Sequence, residues 1–180
     1  MKLEQRANRY VARSSWLERA IPKAAGFRWD PNAREWWTPD PEQAARLVAY
    51  ADPATAAHIP AALQAVDDTV AASSAADADI DVPAPDGLAF LPFQRAGIAY
   101  AQARPATLIA DEMGLGKTME AIGVMVALDA PRTLVVCPPS LRVNWQREIE
   151  KWWPAVAGSV QVIEGREDFD AAARVIVLNY

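Results

Sequence analysis

From Leu88 onward, short apolar runs alternate with helical patterns, which predicts an α/β fold built on a parallel sheet. Two further observations set the organisation. A glycine-rich turn, Gly114-Leu115-Gly116-Lys117-Thr118, stands between an apolar run and a helical pattern, and composition divides the 180 residues into three parts. Residues 1–50 are rich in Trp and carry nine Lys/Arg against six acids, whereas residues 51–87 carry seven Asp and no Lys or Arg. The expected arrangement is a small α+β module at 1–50, an Ala/Asp/Pro-rich acidic linker at 51–87 and an α/β segment at 88–180.

In the front module, Tyr10–Arg13 reads as a strand and the residues from Ala20 to Ala25 as a short helix stopped by Gly26. Phe27-Arg28-Trp29 and Glu35-Trp36-Trp37-Thr38 flank Asp30-Pro31-Asn32-Ala33, a hairpin turn with Pro at its second position. Pro41 to Tyr50 comes next as a helix with Asp40 as N-cap and Pro41 in its first turn. Within the linker, a weak helix is expected near Ala61 to Ala72. In the third part, Thr107–Ala110 reads as the first buried strand and Lys117–Leu128 as a helix. Thr133–Cys137 is a second strand, ended by Pro138 and Pro139, and Ser140 is placed to cap a helix from Leu141 to about Trp152. Val160–Ile163 and Val175–Leu178 are further strands. Trp145, Ile149 and Trp152 fall at helical spacing and read as core.

Just over half of the residues, 52%, are hydrophobic, which excludes global disorder. The net charge of −5 is too unevenly spread to argue for or against a nucleic-acid partner. Cys137 is the only cysteine, so an internal disulfide and a thiolate zinc site are both excluded; its apolar neighbours make it a buried structural thiol. No stretch reaches the roughly 18 apolar residues of a membrane span, and the N-terminus has no apolar signal core. A cytoplasmic protein with no membrane partner is expected.

The order strand, glycine turn, Lys, Thr, helix is a phosphate-binding arrangement. Glycines let successive N–H groups face one anion, and the helix N-terminus adds its positive dipole end. Lys117 would reach the β- and γ-phosphates of ATP, and the Thr118 hydroxyl would ligate Mg²⁺. The common pattern has Gly where this chain has Asp111.

Ile109-Ala110-Asp111-Glu112-Met113-Gly114-Leu115-Gly116-Lys117-Thr118 resembles motif I of the Swi/Snf family of DNA-dependent ATPases, within helicase superfamily two, where Asp is the expected residue. Leu91-Pro92-Phe93-Gln94-Arg95-Ala96-Gly97-Ile98 resembles that family's Q-motif, whose Gln is suited to read adenine. Val135-Val136-Cys137-Pro138-Pro139-Ser140-Leu141 with Asn144-Trp145-Gln146-Arg147-Glu148 is similar to motif Ia, which lies against DNA in the family. Arg174–Tyr180 resembles the strand and turn preceding a further DNA-contacting motif. The resemblance implies a RecA-like lobe, ATP with Mg²⁺ as cofactors and double-stranded DNA as partner. It implies nucleotide contacts at Gln94, Asp111, Glu112, Met113, Gly114, Leu115, Gly116, Lys117 and Thr118, with Lys117 and Thr118 catalytic. Pro139, Ser140, Asn144 and Tyr180 are implied DNA contacts.

Lys23–Asp30 followed by Trp36 or Trp37 is similar to the small HARP-like modules that precede the ATPase in annealing-helicase members. There they engage branched or single-stranded DNA, so Arg28 and Trp36 join the candidate DNA contacts. The family's Asp-Glu-x-His element and second lobe are not in the sequence, and hydrolysis is therefore expected only in a longer parent protein. Two alternatives stay open: a non-catalytic DNA-binding module with a vestigial phosphate loop, and a different phosphate-loop enzyme such as a small-molecule kinase.

Overall fold

Five residues from Lys2 to Arg6 form β1 and pair antiparallel with β2, Arg9–Arg13. Beyond β2 the sheet continues through β4, Glu35–Thr38, to β3, Arg28–Asp30, in the order β1-β2-β4-β3. The β3–β4 turn is held by the Asp30 carboxylate, which accepts the N–H groups of Asn32 and Ala33 at 2.9 and 3.0 Å. Helix α1, Ala20–Ala24, ends as expected on Gly26 at φ +97°. The Phe27 and Gly26 N–H groups close back on the Pro22 and Lys23 carbonyls, the double bond that a left-handed glycine permits. Helix α2, Pro41–Ala45, starts on Asp40, whose carboxylate accepts the Glu42 N–H at 2.8 Å. Leu3, Tyr10, Ala12, Phe27, Ala44, Leu47 and Ile59 make the core of this unit.

The computed structural model describes all 180 residues and divides them into Met1–Ala71 and Ala72–Tyr180. The first unit runs past residue 50 because the free edge of β1 takes up residues 51–59. Leu3 bridges Ala51, the Gln5 N–H donates to Thr55 Oγ1 at 2.8 Å, and Thr55 and Ile59 are buried. The helix expected near residue 61 therefore begins earlier, as α3, Pro53–Ser73.

In the second unit, α4, Pro92–Gln102, and α5, Lys117–Ala127, pack beside a parallel sheet. Its strands are β5, Thr133–Val136, β6, Val160–Val162, and β7, Val175–Leu178, in the order β5-β7-β6. Helix α6, Arg142–Trp152, lies between β5 and β6 in the chain. Phe90, Ile98, Ile122, Val135, Ile149, Trp152, Trp153, Val175 and Val177 form one core, with Trp145 packed against it. The opposite face of β5 is open, with Leu134 57% and Val136 54% exposed.

Three expectations are corrected. The helix expected from Pro41 to Tyr50 stops at Ala45, and Val48–Tyr50 forms a separate 3₁₀ turn. Thr107–Ala110 forms no strand; it has no ladder partner, and Leu108 is 85% exposed. A four-residue apolar run becomes a strand only where a neighbour accepts its hydrogen bonds, and the three strands present pair among themselves. Ser140 does not cap α6. It lies in a 3₁₀ turn, Pro139–Leu141, that runs directly into the helix, with Leu141 at the cap position. The Leu141 N–H reaches the Pro138 carbonyl at 2.9 Å, so the chain is already turning before the helix begins.

Candidate nucleotide and nucleic-acid sites

The loop before α5 turns on two left-handed glycines, Gly114 at φ +92° and Gly116 at φ +88°. Gly116 is also the cap residue of α5, and no side chain satisfies the first-turn N–H groups. Those donors and the helix dipole face an opening of about 320 Å³ lined by Gly114, Gly116, Lys117, Thr118, Met119, Asn144 and Glu148. Lys117 Nζ donates to the Asp111 and Glu112 carbonyls at 2.9 and 3.0 Å, which folds the ammonium back over the loop. Asp111, Glu112, Met113 and Leu115 are exposed around the same turn.

Gln94 lies beneath this loop and is only 5% exposed. Its Oε1 accepts the Leu91 N–H at 3.0 Å, half of a capping box at the start of α4, and its Nε2 donates to the Leu115 carbonyl at 3.0 Å. The amide thus ties the α4 N-terminus to the phosphate loop, a positioning role that a reading based on adenine alone does not contain. A carbonyl oxygen has a second lone pair and an amide a second hydrogen, so one acceptor and one donor site remain.

Glu120, on the first turns of α5, is 1% exposed and faces Gly97 of α4, whose added Cβ would lie 3.0 Å from its Oε2. Burial above all, and then the neighbouring Asp111 carboxyl, push its pKa up to about 8, with Lys117 pulling the other way. Cys137 is buried, and burial raises its thiol pKa above the ordinary value.

The candidate DNA contacts separate into groups. Pro139 and Ser140 follow β5, and Tyr180 follows β7; all three are exposed at the carboxyl ends of adjacent parallel strands. Asn144 is not with them: it lines the phosphate-loop opening, one helical turn before Glu148. The sequence places Glu148 in the segment resembling motif Ia but gives it no role of its own, although its spacing from Asn144 puts both on one face of α6.

In the first unit, Arg28 pairs with Trp37 and Trp29 with Trp36, so Arg28 and Trp36 project from opposite faces of the sheet. The Arg28 face is cationic. Arg9 and Arg28 approach the Trp37 ring at 5.7 and 6.0 Å, and Arg6, Arg9 and Arg13 converge on buried Glu35 at 3.4, 3.4 and 3.7 Å. On the Trp36 side, a cleft of about 460 Å³ is lined by Ser14, Ser15, Trp16, Arg19, Trp29 and Trp36.

A profile of the SNF2-related domain matches residues 21–177. The chain is 42% identical over 95 residues to the Bos taurus DNA annealing helicase and endonuclease ZRANB3, covering 50% of this chain and 9% of that protein. It is 35% identical over 97 residues to the Xenopus tropicalis SWI/SNF-related matrix-associated actin-dependent regulator of chromatin subfamily A-like protein 1, covering 52% and 10%. It is 40% identical over 74 residues to Protein CHROMATIN REMODELING 19 of Arabidopsis thaliana, covering 36% and 10%. The chain spans about a tenth of the length of these relatives.

Proposed function

This chain belongs to the SNF2-related domain family, the Swi/Snf branch of helicase superfamily two whose members are DNA-dependent ATPases, and from that premise we propose that it binds ATP with Mg²⁺ at Gly114–Thr118 as part of a motor acting on double-stranded or branched DNA. The observation that carries the reading is the loop itself. Two left-handed glycines, an uncapped helix N-terminus, an ammonium and a hydroxyl converge on one opening. This donor set fits a triphosphate, since each group in it offers positive charge or a hydrogen-bond donor, the Asn144 amide at the same opening can add another, and only Glu148 there brings negative charge.

In this reading the N–H groups of the first α5 turn cradle phosphate oxygens, and Lys117 exchanges its two loop carbonyls for the β- and γ-phosphates. The Thr118 hydroxyl would ligate Mg²⁺, which when bound neutralises charge on those phosphates. Gln94 keeps the loop in shape from below and has hydrogen-bonding capacity left for the adenine edge. Pro139, Ser140 and Tyr180 border the crevice where open α/β sheets take their partners, and contact with the DNA backbone is assigned to them. The cationic sheet face around Arg28 supports a second phosphate-backbone contact in the first unit.

The test is calorimetric titration of the chain with ATP and Mg²⁺. Saturable binding is expected in the wild type, weakened at least roughly tenfold by Lys117→Ala, because a charge-assisted contact is worth about 1.5–3 kcal/mol. Equal affinity in the two proteins would remove the phosphate loop from the function.

A further inference from the structure

Glu148 is the one group at the phosphate-loop opening whose charge is wrong for a triphosphate. Helix α6 places it a turn beyond Asn144, and both line the opening beside Lys117 and Thr118. Its Oε2 is buried and has no hydrogen-bond partner. The neighbouring acid on the same helix is used differently, since Glu150 accepts from Gln146 Nε2 at 3.1 Å. Nor is Lys117 the missing partner, because its ammonium is directed at the Asp111 and Glu112 carbonyls.

An unpartnered buried carboxylate oxygen is costly, and a carboxylate beside phosphates adds like-charge repulsion. A divalent cation between them removes both difficulties. Mg²⁺ takes oxygen ligands, keeps several waters and is held in nucleotide sites by one or two protein oxygens together with the phosphates. We infer that Glu148 is a cation-positioning residue, which with the Thr118 hydroxyl holds the hydrated Mg²⁺ accompanying a nucleoside triphosphate at this loop. The inference rests on the nucleotide reading of the loop and adds to it a residue on α6.

It has a signature that a structural role for Glu148 lacks. Without a divalent cation, Glu148→Gln removes a negative charge facing the phosphates, so ATP binds more tightly. With Mg²⁺ present, the same substitution removes an oxygen ligand of the cation, so ATP binds more weakly. The two effects have opposite signs.

The experiment titrates ATP into the full chain in Mg²⁺ and, separately, in EDTA. Wild type, Glu148→Gln, Thr118→Ala and Lys117→Ala are compared, with Mn²⁺ spin resonance as a direct count of bound cation. The isosteric amide keeps the shape of the side chain, and thermal melting checks that the fold is retained. Glu148→Gln is expected to lose roughly tenfold in affinity in Mg²⁺, to gain in EDTA and to hold less Mn²⁺ in the presence of ATP. An unchanged ratio between the two conditions, or weakening in both, overturns the inference. If Lys117→Ala weakens binding while Glu148→Gln behaves as wild type, only the role of Glu148 fails. If the wild type binds no ATP in either condition, the nucleotide reading fails with it.

Discussion

Replacing Gly116 by Ala tests whether the phosphate loop is held in shape from beneath. The backbone there sits at φ +88°, where a Cβ costs about 1–2 kcal/mol. The added Cβ would also lie 2.5 Å from Gln94 Nε2. That overlap forces the amide away from the Leu115 carbonyl, which it contacts at 3.0 Å, and a lost buried hydrogen bond adds about 1–3 kcal/mol. Gly116→Ala is therefore expected to destabilise the second unit by about 2–5 kcal/mol. Gln94→Ala alone strands the Leu91 N–H and the Leu115 carbonyl, at a similar cost. The double substitution is informative because the overlap exists only when both side chains are present. Its cost should fall short of the sum by about 1–3 kcal/mol, a coupling in the range found for contacting residues. Urea denaturation followed by hydrogen exchange of α4 and α5 amides measures all four proteins and assigns the loss to this unit. Strict additivity would refute the contact between Gln94 and the loop.

Glu120 and Gly123 test the same pair of helices elsewhere. The pKa of Glu120 rises from 4.5 to about 8 on folding. Folding therefore takes up a proton at Glu120 between those values, so the contribution of this residue to stability is largest below about pH 4.5 and falls as pH rises towards 8. Glu120→Gln should flatten that slope and stabilise the unit at pH 8 by on the order of a few kcal/mol, read by urea titration at pH 5 and 8; an unchanged slope would contradict it. A Cβ on Gly123 would overlap Ile98 Cδ1 and lie 3.1 Å from Phe90 Cε1, so Gly123→Ala should cost about 1–3 kcal/mol by thermal melting, with part recovered by Ile98→Val.

What could be read from sequence and what could not divide on physical lines. The hairpin, the Gly26 stop and the Asp40 cap were legible because each depends on residues within a few positions of one another. Strand β1 was not, since Lys2–Arg6 contains a single apolar residue, Leu3, and gains strand character only by pairing with β2. The helical segment from Pro53 was hidden for the same reason, as its place in the first unit depends on the edge that β1 presents. Thr107–Ala110 erred in the other direction, its local pattern reading as a strand where no ladder neighbour exists. At the site, Lys117, Thr118 and the two glycines were visible as a motif. The roles of Glu120 and Glu148 were not, because an acid with a hidden oxygen looks like an exposed one until its neighbours are known.

The α4–α5 seam explains why the residues upstream of the loop belong to the site. Three contacts run along it, each setting a glycine on one helix or its cap against a larger side chain on the other: Gly116 against Gln94, Gly97 against Glu120, and Gly123 against Ile98. Glycine at all three points lets the helices approach closely, and close approach is what brings the Gln94 amide within reach of the Leu115 carbonyl. The middle contact is polar, buried and governed by protonation, so the seam has one element that loosens as pH rises. A change in how α4 is held thus reaches the loop through the Gln94 amide rather than through the sheet, whose strand candidate nearest the loop is unpaired. Nucleotide affinity and α4 packing should accordingly change together in the Gly97 and Gly123 variants, although neither residue lines the phosphate-loop opening.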